Sequence, residues 1–357
     1  MGLMSCSQES ADSPVEPVEP TMETAIAFSA NQNEETVTRA TTPLHEKGVN
    51  TFIVWGFKNT GVTGNDYTAY QNVIPGYTVR WYDNSGYTTT SNTNGWEYVN
   101  QQSVNDPEQT IKYWDWDAKA YRFFGITGGA YSTHEANGAY EVTITVDGSS
   151  EENTPYYSHL WISNGGEGQK PFGQPVQLEF IKPLSKVRFM FIFEDPSLAS
   201  TTELSGKSFA PTNGNTIKTK AQLTISYPLT GTSVAETATF TSEPEGLTAF
   251  TQDYYESVTK NGDGIVISPY WGAPENPLEN VYTVLPATNQ GTYTLTVDVN
   301  GEPKTTVVPA EYMNWQLGYQ YTYIFKVHVD GGVSINAVQA AFTTWTDHPG
   351  DHTIYNW

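Results

Sequence analysis

The chain holds a single cysteine, Cys6, in 357 residues, so no internal disulfide is possible and the fold must stand on packing alone. Long apolar runs are missing as well. The best, VRFMFIF at 187–193, carries Arg188 and falls far short of the roughly 20 residues that cross a bilayer as a helix. Cations are scarce: 17 Lys and Arg stand against 39 Asp and Glu, a formal charge of −22. Such a chain repels a phosphate backbone, which excludes nucleic acid as a partner.

Catalytic signatures are missing too. There is no G-x-S-x-G, no H-E-x-x-H and no glycine-rich phosphate loop; GDG at 262–264 reads as a turn. A cysteine nucleophile is excluded from the body, and the six His are scattered. The residues argue against an enzyme and call for no cofactor. TDHPGDH at 346–352 brings Asp347, His348, Asp351 and His352 together, but Pro349 and Gly350 remove the helix that would align a His pair on a metal, so a solvated turn is expected.

What is present is the material of strands. Aromatics make up 13% of residues, with 23 Tyr and 10 Trp, among abundant Thr, Val, Gly and Asn, a profile of strands joined by turns. Strand-like runs recur along the whole chain, including NTFIVWGFKNT, GYTVRWYD, GWEYVN, KAYRFFGITGG, AYEVTITVDG, QLEFIKPLSKVRFMFIFED, AQLTISYPL, ENVYTVLPA, GTYTLTVDVNG and GYQYTYIFKVHVDGG. This spacing predicts an all-β chain of sandwich architecture, with few and short helices because no apolar period of 3.6 is sustained. NTFIVWGFKNT at 50–60 is apolar on both faces, as a strand buried on both sides would be. The length suits two domains. Gly and Pro concentrate in NGGEGQKPFGQP at 164–175, which places one domain over 24–170 and the next over 171–357.

The front of the chain has its own logic. In GLMSC, the order Leu3, Met4, Ser5, Cys6 resembles the lipobox of bacterial lipoproteins, where cleavage before the cysteine exposes it for acylation. The charged and apolar parts of a signal peptide do not precede it, as in a chain whose leader has been trimmed. Residues 1–23 then read as an anchor and tether, because Pro14, Pro17 and Pro20 recur every three residues in SPVEPVEPTMET and favour a solvated polyproline II spacer. ETAIAFSANQ follows, with Ile26, Phe28 and Ala30 alternating with Ala25, Ala27 and Ser29 as in a half-buried strand. Arg39 is the first cation of the chain; seven acids precede it.

WDWD at 114–117 alternates aromatic with acid. It reads as a strand with two unlike faces, or as a sugar site in which an indole stacks under a ring and carboxylates bind hydroxyls. Asp115 and Asp117, two apart on a strand, would point the same way, which does not suit a glycosidase pair. A hydrolase site built from separated strands, without a readable motif, is the third class.

Several segments together resemble the fimbrillin family, the type V pilins of Bacteroidia: LMSC, TRAT at 38–41 followed by FIVWGF, the block from Trp96 to Gly129, VQLEFIKPLSKVRFMF, and the closing GYQYTYIF with FTTW. One departure is Pro183 in FIKPLSKV, where relatives often carry His, and it bears on a local turn. The resemblance implies two transthyretin-like antiparallel β-sandwich domains in tandem, export as an outer-membrane lipoprotein acylated at Cys6, and a later life in a cell-surface fimbria. It implies maturation by an Arg-specific, trypsin-like protease cutting between Arg39 and Ala40, which would remove the strand of Ile26, Phe28 and Ala30. Other pilin subunits are then the partners, and the membrane is met only through the lipid. A donor strand comes by the same resemblance from the tail 333–357, with Val333, Ile335, Ala337, Val338, Phe342 and Trp345 as its knobs and Gly331 and Gly332 as a hinge. The alternative is a carbohydrate-binding surface lipoprotein or fimbrial tip adhesin with host or bacterial glycans as partners.

Overall fold

The computed structural model describes residues 24–32, 42–61, 70–82, 89, 91, 95–101, 108–136, 138–163, 172–229, 235–243, 246–252, 259–260, 266–267, 282–288 and 290–342. Among them the structure is all-β, two β-sandwiches in tandem, and its helical pieces are short 3-10 turns such as Leu44–Lys47.

Thr51–Asn59 is the centre of the first sheet. Phe52, Val54, Trp55 and Phe57 are all buried, because the strand has an antiparallel neighbour on each side, Ala120–Thr127 and Tyr70–Trp81, and apolar layers on both faces. The sheet runs Thr42–Pro43, Phe28–Gln32, Val176–Ile181, Tyr157–Ser158, Ala120–Thr127, Thr51–Asn59, Tyr70–Trp81, Trp96–Glu97, with Trp161–Ser163 also paired to Ala120–Thr127. Its two ends meet: Tyr98, just past the last strand, lies 5.7 Å from the ring of Phe28 in the second.

A four-stranded sheet covers one face, in the order Thr237–Ser242, Lys220–Pro228, Ala139–Asp147, Tyr131–Ala136. Leu223, Ile225 and Tyr227 alternate inward beside Val142, Ile144 and Val146, as period-2 strands do. Tyr227 stacks on Phe124 of the first sheet with ring centroids 3.9 Å apart. Both Val176–Ile181 and the hairpin 220–242 lie beyond residues 164–175, in the stretch read as the second domain, yet they complete the first core. Glu236 ties this hairpin down. Its carboxylate takes the His159 Nδ1 proton at 2.7 Å and the Leu160 N–H at 2.9 Å. Burial pushes the Glu236 carboxyl up, but these bonds and the His159 charge outweigh it and hold the group below the ordinary range.

The second sandwich closes around Phe189, Phe209, Leu295, Tyr323 and Phe325. One sheet has Ser185–Phe193 parallel to Tyr319–Val327, which pairs in turn with Val333–Phe342; the other is Phe250–Gln252, Leu204–Pro211, Tyr293–Val299, Glu302–Val308.

Close packing inside the first sheet gives one sharp expectation. A Cβ on Gly125 would lie 2.5 Å from the backbone oxygen of Ile53 and 3.4 Å from Leu178 Cδ1, so the strands must part to admit it. Gly125→Ala is expected to destabilise the protein by about 2 to 3 kcal/mol, read as a lowered urea midpoint at unchanged slope.

Candidate functional site

The first described segment, residues 24–32, fills a slot in the first sheet. On one side Ile26 N–H donates to Lys112 O at 2.8 Å and Trp114 N–H donates to Thr24 O at 3.0 Å, with Ala25 bridged to Tyr113. Farther along the same side, Asn31 and Gln32 pair with Pro43 and Thr42. On the other side Val176 N–H donates to Ala27 O at 2.7 Å, and Phe28–Gln32 then runs parallel to Val176–Ile181 from Phe28 opposite Val176 to Gln32 opposite Phe180.

Ile26 and Phe28 are 0% exposed and Ala30 1%, while on the alternate positions Ala25 and Ser29 are half-buried and Ala27, expected on the outer face, is buried as well. Phe28 makes edge contacts with Phe52, Tyr98 and Phe123 at centroid distances of 6.4, 5.7 and 5.8 Å. Tyr98 was not singled out by its sequence, since a lone Tyr in GWEYVN carries no signal. Its buried hydroxyl donates to Ile26 O at 2.9 Å and accepts the Lys112 N–H at 3.0 Å, with Lys112 O at 3.3 Å as a second acceptor. Burial pushes this phenol well above the ordinary tyrosine range. Gln109 holds the wall behind it, donating from Nε2 to both Thr78 O and Tyr98 O and accepting Thr78 N–H.

Emptying the slot would strip partners from two backbone flanks and leave a hole the size of Ile and Phe side chains in a closed core. Both are costly unless another strand takes the place.

The remaining expected residues are distributed differently. Cys6, Arg39, Ala40, Trp345 and the TDHPGDH segment lie outside the described residues. Val333–Phe342 is the last strand of its own second sandwich: Val333 faces Val327, Ile335 faces Phe325, Ala337 faces Ile324, Val338 faces Tyr323 and Phe342 faces Tyr319. A register shift at Ile324/Phe325 leaves Asn336 unopposed, so Ala337 and Val338 are both buried. Gly331 and Gly332, read as a hinge, form the turn of this hairpin, with Gly331 at φ +80° and His328 N–H donating to Gly332 O at 2.8 Å.

WDWD is a turn instead of the strand expected for it. Ala118 N–H donates to Asp115 O at 3.2 Å and Asp117 N–H to Asp115 Oδ1 at 3.0 Å. Asp115 pairs with Lys58 at 2.8 Å, and that bond holds its carboxyl below the usual range. Trp114 is buried and stacked on Phe172, whereas Trp116 is 57% exposed. Among the described residues, no three His, Cys, Asp or Glu come together as metal ligands.

A family model described as Fimbrillin-like matches residues 38–345, most of the chain. The chain belongs to the fimbrillin-like family. No curated protein matches it. Among solved structures, this fimbrillin-like chain is similar to a candidate cell adhesion protein from Bacteroides ovatus, at 14% identity over 91% of this chain and 100% of the other with a TM-score of 0.46. It is also similar to the fimbrial anchor protein Mfa2 from Porphyromonas gingivalis, at 11% identity over 89% and 97% of the two chains with a TM-score of 0.31.

Proposed function

We propose that this chain is a structural subunit of a surface fimbria, exported as an outer-membrane lipoprotein through Cys6, opened by an arginine-specific protease between Arg39 and Ala40, and polymerised by strand exchange with other pilin subunits. The observation that carries the proposal is the slot. Residues 24–32 are gripped from both sides, with Ile26, Ala27, Phe28 and Ala30 buried, and the stretch that joins them to Thr42 contains Arg39 as its single cation. A trypsin-like enzyme needs a cationic side chain on an extended backbone.

The slot also says what can fill it. Its occupant presents a large, a large and a small side chain at alternate positions, Ile26, Phe28 and Ala30. The C-terminal segment 333–357 opens on the same order, Val333, Ile335 and Ala337. Main-chain pairing gives such a joint its strength and alternate side chains its selectivity. Exchange of this kind requires Val333–Phe342 to leave its place beside Tyr319–Val327, or a donor from another subunit.

Brief digestion with an arginine-specific protease, followed by gel filtration, tests the maturation step. The expected outcome is loss of residues 1–39 and conversion of monomer into ladders, with Arg39→Ala staying intact and monomeric. First cuts elsewhere, with Arg39 resistant, would sink it.

Exposed Trp116 beside the exposed acid Asp117 favours a second reading, a glycan-binding adhesin. For a structural subunit a broad glycan array is expected to stay silent. Binding that disappears in Trp116→Ala, which leaves the buried Trp114 in place, would move the chain to the adhesin class.

A further inference from the structure

Among the described residues, four large apolar side chains stand well out in solvent: Tyr113, Trp116, Val307 and Val329. Two of them stand at the same end of the slot. Tyr113 is bridged to Ala25, and the Trp114 N–H between Tyr113 and the WDWD turn donates to Thr24 O at 3.0 Å. Trp116 Cη2 and the Thr24 methyl lie 3.0 and 4.0 Å from the point where a Cβ on Gly173 would stand. Phe172 backs the indole at a centroid distance of 6.3 Å, and its remaining surface is open to water. A lone exposed aromatic is ordinary, but an indole held in place beside the mouth of an interface belongs to the residue class that anchors interfaces.

The direction of the docked strand decides what meets this surface. Phe28–Gln32 runs parallel to Val176–Ile181, so Thr24 marks the amino end of the occupant. In a donor supplied by residues 333–342 of another subunit, the folded body precedes the strand. That body therefore arrives at Trp116, and not at the far end beside Thr42–Pro43. With Val333, Ile335 and Ala337 in the seats of Ile26, Phe28 and Ala30, Gly331 takes the place of Thr24 and Val329 stands two residues farther out. Two residues span at most about 7 Å, so Val329 comes within reach of the indole. It is 65% exposed, and its N–H is held by Glu194 Oε2 at 3.1 Å, which keeps it on the body from which the strand departs.

We propose that Trp116 and Tyr113 of one subunit seat the turn 328–332 of the next, with Val329 of the donor subunit packed on the Trp116 ring; this rests on the strand exchange set out above. The contact is continuous with the slot and adds what main-chain pairing lacks, because it forms only when a whole subunit arrives and not with a strand alone. It also withdraws Trp116 from solvent along the fibre. A glycan site at the same indole would have to stay open there.

The test mixes two single-thiol chains, Trp116→Cys and Val329→Cys, both carrying Cys6→Ser, trims them with the arginine-specific protease and adds a short bis-maleimide. Joined pairs of one chain of each kind are expected in the ladders, at several times the yield of a Trp116→Cys and Val307→Cys mixture, whose second thiol is also exposed but lies on the strand Glu302–Val308. Trp116→Ala is expected to slow ladder formation roughly fivefold, with Trp116→Phe recovering most of the rate. The same Trp116→Ala should leave binding of an isolated peptide of residues 333–342 to the emptied slot unchanged. Ladders in which 116 and 329 join no more than the control pair, or join equally before trimming, would overturn the contact and leave strand exchange standing. So would ladders that form at the parental rate in Trp116→Ala. A parent chain that forms no ladders after trimming would overturn both.

Discussion

Phe28→Ala is expected to weaken the docking of the first strand by about 3 to 5 kcal/mol, which shortens the residence of that strand in its slot roughly 10² to 4 × 10³-fold. The effect is large because Phe28 is wholly buried and touches three other rings, those of Phe52, Tyr98 and Phe123. No backbone rearrangement can fill the gap while Val176–Ile181 and residues 112–114 stay paired on the flanks. The measurement is the rate at which the 1–39 fragment leaves a chain nicked at Arg39, followed by size-exclusion or by exchange against a labelled peptide of residues 24–32. Ser29→Ala, on the partly exposed side of the same strand, serves as a near-neutral control. A Phe28→Ala fragment that stays bound as long as the parent would show that the slot does not govern release.

Cooperative unfolding just above pH 10 is the second expected result. Burial raises the phenols of Tyr98, Tyr157, Tyr227, Tyr293 and Tyr323 well above the ordinary tyrosine range, and pushes Tyr121 and Tyr321 up to about 12. Below pH 10 both folded and unfolded chains hold these protons and nothing is lost. Above it the unfolded chain releases them while the native chain keeps them, so stability falls as pH rises. Each phenol contributes up to about 1.4 kcal/mol per pH unit, so the four in the first sandwich contribute up to about 6 and the three in the second up to about 4. A domain at the low end of the usual range of about 5 to 15 kcal/mol is exhausted within about one unit. Lys207 has the opposite sign: burial lowers it to about 8, so from there to its unfolded value it adds stability as pH rises. The expected profile is a slight gain toward pH 10 and then collapse, with tyrosinate absorbance and loss of the strand circular dichroism appearing together. Gradual tyrosinate formation in a chain that keeps its dichroism to pH 12 would contradict this account. Tyr323→Phe and Tyr227→Phe should each move the midpoint upward.

Local chemistry made most strands legible. Alternation in AYEVTITVDG and AQLTISYPL, and apolarity on both faces of TFIVWGF, correspond to Ala139–Asp147, Lys220–Pro228 and Thr51–Asn59. The periods are set residue by residue, so a single sequence carries them. Partners are a different matter. Lys220–Pro228 meets Ala139–Asp147 across some eighty positions, and Phe28–Gln32 lies beside Val176–Ile181 across nearly one hundred and fifty. Nothing in either local pattern encodes the other, and the choice falls to core complementarity over long loops. The WDWD turn shows the reverse failure. Its aromatic–acid alternation imitates a strand, but Asp115 accepts the Asp117 N–H and competes with any ladder. At the slot, Ile26, Phe28 and Ala30 could be read directly, whereas Tyr98 and Lys112 are seen only once the two ends of the sheet have met.

The parallel pairing of Phe28–Gln32 with Val176–Ile181 reaches beyond one molecule. A replacement that inherits those side-chain seats must enter with the same sense, its amino end toward Val176. Each joint then imposes one orientation on the next subunit, and a contact of that head-to-tail type runs on into an open filament wherever its rotation does not close a ring. The filament so made would have a front and a back, growing from whichever terminus still holds a vacancy, and a subunit with nothing to donate could occupy only one of its two tips.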